Sequence, residues 1–99
     1  MIITGYEYEK IIDPTGILEG DRYEFFLDIE VDEEDEMYNE DGLYVRLILA
    51  VLGDEVKIAQ YHIYEKKNDT YVDFALEQEE EEELLQFCKD ILKKDEGNI

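Results

Sequence analysis

The sequence has little of what most catalytic sites require. It contains no serine, a single histidine, His62, and a single cysteine, Cys88. A Ser-His-Asp triad is therefore excluded within one chain, and a Cys-His dyad would need His62 and Cys88 to meet in the fold. Because free cysteine is among the most buried residue types, we expect Cys88 in the core and His62 on a sheet surface. We predict that the chain is not an enzyme and has no catalytic residues.

Motifs for metal ions and phosphates are scarce as well. One histidine and one cysteine are too few for a zinc site, and neither a GxxxxGK[ST] nor a GxGxxG motif is present. An EF-hand loop begun at Asp32 would need glycine at its sixth position, where the chain has Met37. We expect no cofactor and no metal site, and weak divalent-cation binding by clustered carboxylates remains a minor alternative.

Basic residues and long apolar runs are also few. Nine Lys and Arg against 29 Asp and Glu give a net charge of −20, which repels nucleic acid and anionic membranes. The longest apolar run, at 47–52, is far too short to span a bilayer. The first ten residues lack the basic and apolar regions of a signal peptide. We predict a cytoplasmic protein that binds neither nucleic acid nor membrane and whose partner, if charged, is a basic protein.

What the chain does have is a strand pattern. At 22–31 apolar and polar residues alternate, with Phe26 as the exception on the polar side. Apolar residues at 84, 85, 87, 88, 91 and 92 instead follow the period of a helix. These patterns predict one α+β domain, residues 1–99, in which a mainly antiparallel five-stranded meander sheet carries one C-terminal amphipathic helix on one face. The predicted strands are about 2–12, 22–31, 43–52, 55–65 and 70–76, the helix is about 78–94, and the tail 95–99 is frayed.

Two acidic clusters are the most unusual feature of the sequence. Residues 28–41 carry nine acids and residues 77–83 carry six. Aligned into one stripe, they would imitate a phosphate backbone and dock on a basic protein groove; otherwise they keep a β-rich chain soluble. The candidate acidic interaction surface consists of Asp32, Glu33, Glu34, Asp35, Glu36, Glu40, Asp41, Glu79, Glu80, Glu81, Glu82 and Glu83.

A second candidate surface follows from the predicted topology. One helix covers one face of the sheet, so the other face is expected to present tyrosine and aliphatic side chains. Such a patch suits a protein partner or a second copy of the chain, which would make a homodimer.

Several segments together resemble a known family. They are DPTGILEGDRYEFFLDIEVDEEDE, GLYVRLILAV, QYHIYEK and DFALEQEEEEELLQFC, within about residues 2–92. They are similar to a small acidic family of unknown function from Bacillus-like Firmicutes. The resemblance implies a bacterial cytoplasmic protein and supplies no catalytic residues. The leading hypothesis is a non-enzymatic domain that acts by protein–protein contact, with acidic nucleic-acid mimicry as the alternative.

Overall fold

Alternating side chains build a single antiparallel sheet in which each strand pairs with the next. The computed structural model describes residues 1–17 and 20–96. The strand order is β1-β2-β3-β4-β5, which confirms the predicted α+β meander with one C-terminal helix. The elements are β1 (Ile2–Ile11), β2 (Asp21–Glu30), β3 (Leu43–Leu52), β4 (Glu55–Glu65), β5 (Thr70–Val72) and α1 (Gln78–Glu96).

The core lies between α1 and one face of the sheet. On this covered face Phe25 of β2 pairs with Leu47 of β3, and both side chains are fully buried. Leu84 and Leu92 of α1 belong to the same apolar cluster and are also fully buried. Apolar burial of this kind is the main favourable contribution to folding. The opposite side of the sheet, the open face, carries the polar half of the β2 pattern.

Short turns set the register of the central strands. Leu52 pairs with Glu55, so Gly53 and Asp54 form a two-residue hairpin loop. Gly53 has a φ of 63° and Asp54 has a negative φ, as a type II′ turn requires. The central strand β3 is buried on both of its faces, because Ile48 and Ala50 on the open face are also shielded from solvent.

The structure corrects the extent of the fifth strand. Residues 70–76 were expected to be a strand, but β5 ends at Val72. The N–H of Phe74 donates to the carbonyl of Val72 at 2.9 Å, which turns the chain away from the sheet. Leu76 then enters the core, and its N–H donates to the Tyr61 hydroxyl at 2.9 Å. The alternation of apolar residues in the sequence therefore continues past Val72, the last residue of β5 that pairs with β4.

The ends of β1, β2 and α1 differ from the predicted ends by one or two residues. β1 stops at Ile11, and β2 starts and ends one residue earlier than expected. The helix continues through Asp95 and Glu96, which were expected to fray, and the rest of that expected tail, 97–99, lies outside the described residues. Asp95 accepts a hydrogen bond from the Tyr8 hydroxyl at 3.0 Å, which ties the last turn to β1.

The helix crosses the sheet from β4 to β1. At its N-terminus the side chain of Glu80 accepts a hydrogen bond from the N–H of Glu77 at 3.1 Å, and the N–H of Glu80 donates to the backbone carbonyl of Glu77 at 3.0 Å. Farther along, Phe87 packs edge-on against Tyr6 of β1 with ring centroids 5.8 Å apart. Within the described residues, no helix has the apolar length needed to cross a membrane.

Candidate interaction surfaces

The acidic loop, residues 31–42 between β2 and β3, is a series of three hydrogen-bonded turns. Each turn begins with an Asp or Asn whose side-chain oxygen accepts from the backbone N–H two residues further on. Two carboxylates of the loop thus have a local structural role as turn formers. The three pairs are Asp32 with Glu34 at 3.1 Å, Asp35 with Met37 at 2.9 Å, and Asn39 with Asp41 at 2.9 Å.

Met37 attaches the acidic loop to the protein. Its side chain is 5% exposed and belongs to the hydrophobic core. Asp35 is half-buried, and the Lys67 Nζ lies 4.0 Å from a carboxylate oxygen of Asp41. The other candidate acids of the loop, Asp32, Glu33, Glu34, Glu36, Glu40 and Asp41, are exposed. In the described parts of the chain, no group of three or more His, Cys, Asp or Glu residues is arranged to hold a metal ion.

The second cluster, Glu79 to Glu83, forms the first turns of α1. Glu80 and Glu81 are half-buried, whereas Glu79, Glu82 and Glu83 are exposed. These turns lie beside residues 58–61 of β4. The acidic loop leads into Leu43, which pairs with Glu65 of β4. At roughly 3.3 Å per strand residue, Glu65 and residues 58–61 are about 13–23 Å apart, and this is the separation along β4 of the points where the two clusters are attached.

The open face carries a continuous aromatic strip. Tyr44, Tyr64 and Tyr71 are direct cross-strand partners on β3, β4 and β5, and Phe26 of β2 adjoins Tyr44. Tyr44 and Tyr64 stack with ring centroids 5.2 Å apart, and Tyr64 meets Tyr71 edge-on at 6.0 Å. At its two ends the strip remains accessible, because Phe26 is 36% and Tyr71 is 53% exposed.

Acidic side chains surround one end of the aromatic strip. Glu7, Asp28 and Asp69 line a shallow pocket of about 350 Å³ with the rings of Phe26 and Tyr44. The Tyr44 hydroxyl donates to Asp69 at 2.8 Å. Partial burial and then this hydrogen bond raise the pKa of Tyr44 to about 12. Three carboxylates beside two aromatic rings form a pocket suited to a cationic group.

Two ion pairs offset part of the negative charge on the open face. Arg46 lies across from Phe26 on the neighbouring strand, and its guanidinium contacts the Glu24 carboxylate at 2.6 and 2.8 Å. Glu24 is only 18% exposed, so this pair is partly shielded from solvent. Lys66 approaches Asp28 at 3.4 Å, at the edge of the acidic pocket. Glu24 and Asp28 are thus partly neutralised.

His62 and Cys88, the two residues that a Cys-His dyad would need, lie on opposite sides of the sheet. His62 pairs with Arg46 and is on the open face, where it packs edge-on against Tyr71. Cys88 is fully buried between α1 and the covered face. Burial raises the pKa of the Cys88 thiol to about 12 and so suppresses its thiolate form. The sheet therefore separates the two members of the dyad considered from the sequence.

The match to a known family covers nearly the whole chain. The model of a family of unknown function (DUF6509) matches residues 1–95. The chain belongs to this family. Neither the curated proteins nor the solved structures contain a match to it. The family assignment confirms the resemblance at the level of a family of unknown function.

The sequence patterns predicted an uncovered sheet face but not which side chains meet on it. Phe26 was the exception in the β2 alternation, and the structure shows that it belongs to the aromatic strip. Asp69 lies in the turn between β4 and β5, yet it contacts Tyr44, a residue 25 positions away. Its φ of 52° is unusual for a residue other than glycine, although aspartate tolerates this region better than most. Only strand pairing brings these side chains together.

Proposed function

We propose that this family member is a non-enzymatic bacterial cytoplasmic protein that binds another protein through the open face of its sheet. The observation that carries the proposal is the aromatic strip across four strands. Exposed aromatic side chains on a regular surface are typical of protein interfaces, where tyrosine and phenylalanine are enriched. The bacterial and cytoplasmic parts of the proposal rest on the resemblance of the quoted segments to a bacterial family.

The partner we propose is a different protein with a basic, partly apolar surface. A net charge of −20 on each chain opposes the approach of two copies. Glu7, Asp28 and Asp69 place negative charge beside Phe26 and Tyr44, so a lysine or arginine side chain of the partner would meet both carboxylates and rings. A basic partner is therefore favoured over a homodimer through the same face.

Nucleic-acid mimicry has less support in this fold. Its stripe requires the two acidic clusters to align, whereas one is attached near Glu65 at the end of β4 and the other lies beside residues 58–61 in the middle of that strand. Asp32 and Asp35 are also accounted for as turn formers. We therefore infer that the acidic loop serves mainly as a solvated connection, and mimicry becomes one of the outcomes of the binding experiment.

The test is affinity capture from a bacterial lysate with identification of the bound proteins. Captures are compared at about 50 mM and about 500 mM salt, where the Debye length falls from about 14 Å to about 4 Å. The variants are Tyr71→Ser and Phe26→Ser on the open face, and the control is Tyr38→Ser, a 41% exposed tyrosine of the acidic loop. Circular dichroism verifies that each variant is folded.

We expect a partner that is held at both salt concentrations by the native chain and by Tyr38→Ser, and lost with Tyr71→Ser or Phe26→Ser. A partner retained equally by the open-face variants would refute the proposal. A nucleic-acid-binding protein held only at the lower salt concentration would support mimicry instead. Sedimentation of the purified chain as a dimer that Tyr71→Ser dissociates would show that the occupant is a second copy.

A further inference from the structure

The outer edge of β4 is largely unpaired. β5 pairs only with Ile63, Tyr64 and Glu65, the last three residues of β4. Within the described residues, no strand pairs with the outer edge from Glu55 to His62. These eight residues are about 26 Å long at roughly 3.3 Å per residue. An unpaired edge exposes backbone N–H and C=O groups that can accept another strand.

A groove follows this edge. It is lined by residues 58–61 of β4 together with Gln78, Glu81, Glu82 and Leu85 of α1, and its volume is about 500 Å³. Successive side chains of a strand point to opposite faces. Ile58 and Tyr61, paired with Leu49 and Leu47, belong to the covered face, whereas Gln60, paired with Ile48, belongs to the open face. A groove lined by all three residues therefore reaches the edge of the strand. The first two turns of α1 form the other wall.

The walls of the groove are partly apolar and partly acidic, and this combination favours one kind of ligand. Ile58 and Leu85 are half-buried and give the groove an apolar surface next to the core. Glu81 and Glu82 add two carboxylates on the helix side. The Tyr61 hydroxyl does not extend freely into the groove, since it accepts the hydrogen bond from Leu76. An extended segment with alternating apolar and basic side chains is complementary to this lining.

We propose that the β4–α1 groove binds an extended, basic segment of a partner protein, which adds to the sheet as a strand beside β4. Backbone hydrogen bonds to β4 supply affinity in this mode, and the side-chain pockets supply selectivity. Glu81 and Glu82 contact the basic side chains of the segment, while Ile58 and Leu85 contact its apolar ones. This site is separate from the open face, so it stands or fails independently of the aromatic strip.

A second copy of the chain fits this edge poorly. Register shifts at Ala59, because Ile48 pairs with Gln60 and Leu49 pairs with Ile58. Such a bulge, together with the charged Lys57, protects an edge against added strands in general, and what opposes a second copy in particular is charge. The net charge of −20 adds repulsion between copies. A basic partner segment meets attraction in the same place.

The experiment selects randomised decapeptides, displayed on phage, against the full chain at near-physiological salt. Enriched peptides are synthesised, and their dissociation constants are measured by calorimetry with native chain and variants. Glu82→Lys reverses a charge inside the groove, and its matched control is Glu83→Lys, the adjacent exposed glutamate outside the lining. Ala59→Lys, at an exposed position of the edge, obstructs the groove directly. Amide hydrogen exchange reports whether β4 gains protection.

We expect basic peptides whose affinity falls at least about tenfold with Glu82→Lys and with Ala59→Lys but changes little with Glu83→Lys. Backbone N-methylation of such a peptide should also weaken it, and exchange should slow at β4 amides between residues 55 and 62. Failure to enrich any peptide would overturn the proposal. Peptides that bind equally to Glu82→Lys and Ala59→Lys, or that lose affinity with Tyr71→Ser instead, would overturn it as well.

Discussion

Met37 holds the acidic loop against the core, and its truncation to alanine measures how much that contact contributes to stability. The side chain is 5% exposed, and replacing a buried methionine by alanine typically costs about 2–5 kcal/mol. Since a loop at the end of a sheet can close partly over the space, we expect about 2 kcal/mol. For a domain of this size, each kcal/mol lowers the Tm by about 4–8 °C, so the predicted decrease is about 8–16 °C.

The assay is thermal unfolding followed by circular dichroism, with two matched variants. Glu36→Ala changes the exposed neighbour of Met37 and should alter stability by less than about 0.5 kcal/mol. Met37→Leu keeps an apolar side chain of similar volume and should cost less than about 1.5 kcal/mol. If Met37→Ala were no more destabilising than Glu36→Ala, the acidic loop would not be anchored through this residue, and its assignment to the core would be wrong.

Two further predictions test the local roles of charged and phenolic groups. Asp35→Asn keeps an oxygen for the N–H of Met37 and removes a negative charge, so its Tm should equal or exceed the native value. Asp35→Ala removes the hydrogen bond and should lower the free energy of unfolding by about 1 kcal/mol. Equal losses of stability in both variants would contradict the role of Asp35 in the turn. Partial burial, followed by hydrogen bonds to Asp95 and Asp69, raises the pKa of Tyr8 and of Tyr44 to about 12. The raised pKa values stabilise the folded state, and this stabilisation is fully present below the unfolded pKa of about 10 and is lost as the pH rises toward 12. Burial also raises the pKa of Tyr23 and of Tyr61, so tyrosinate absorbance should show a late-titrating component to which several tyrosines contribute. Tyr8→Phe and Tyr44→Phe should each reduce that component, and a late component unchanged in size by either substitution would refute the assignment.

The antiparallel meander could be derived from the sequence because its signals are local. Alternation in β2, a glycine at the first position of the Gly53–Asp54 turn and the helical period after Leu76 each depend on neighbouring residues alone. Short connections then leave few topologies other than consecutive antiparallel pairing. Local periodicity overestimated β5, because the hydrogen bond from Phe74 to Val72 and the burial of Leu76 turn the chain out of the sheet.

The net charge of the protein and its lack of serine were determined by the sequence, since composition needs no fold. Which acids have structural roles was decided by tertiary structure: Asp32 and Asp35 accept the hydrogen bonds of the two turns that lead to Met37, whose side chain lies in the core. The same applies to both candidate surfaces. The aromatic strip exists because strand register aligns Tyr44, Tyr64 and Tyr71, and the groove exists because β5 ends before it covers β4. Register and strand length depend on long-range pairing, which no local pattern contains.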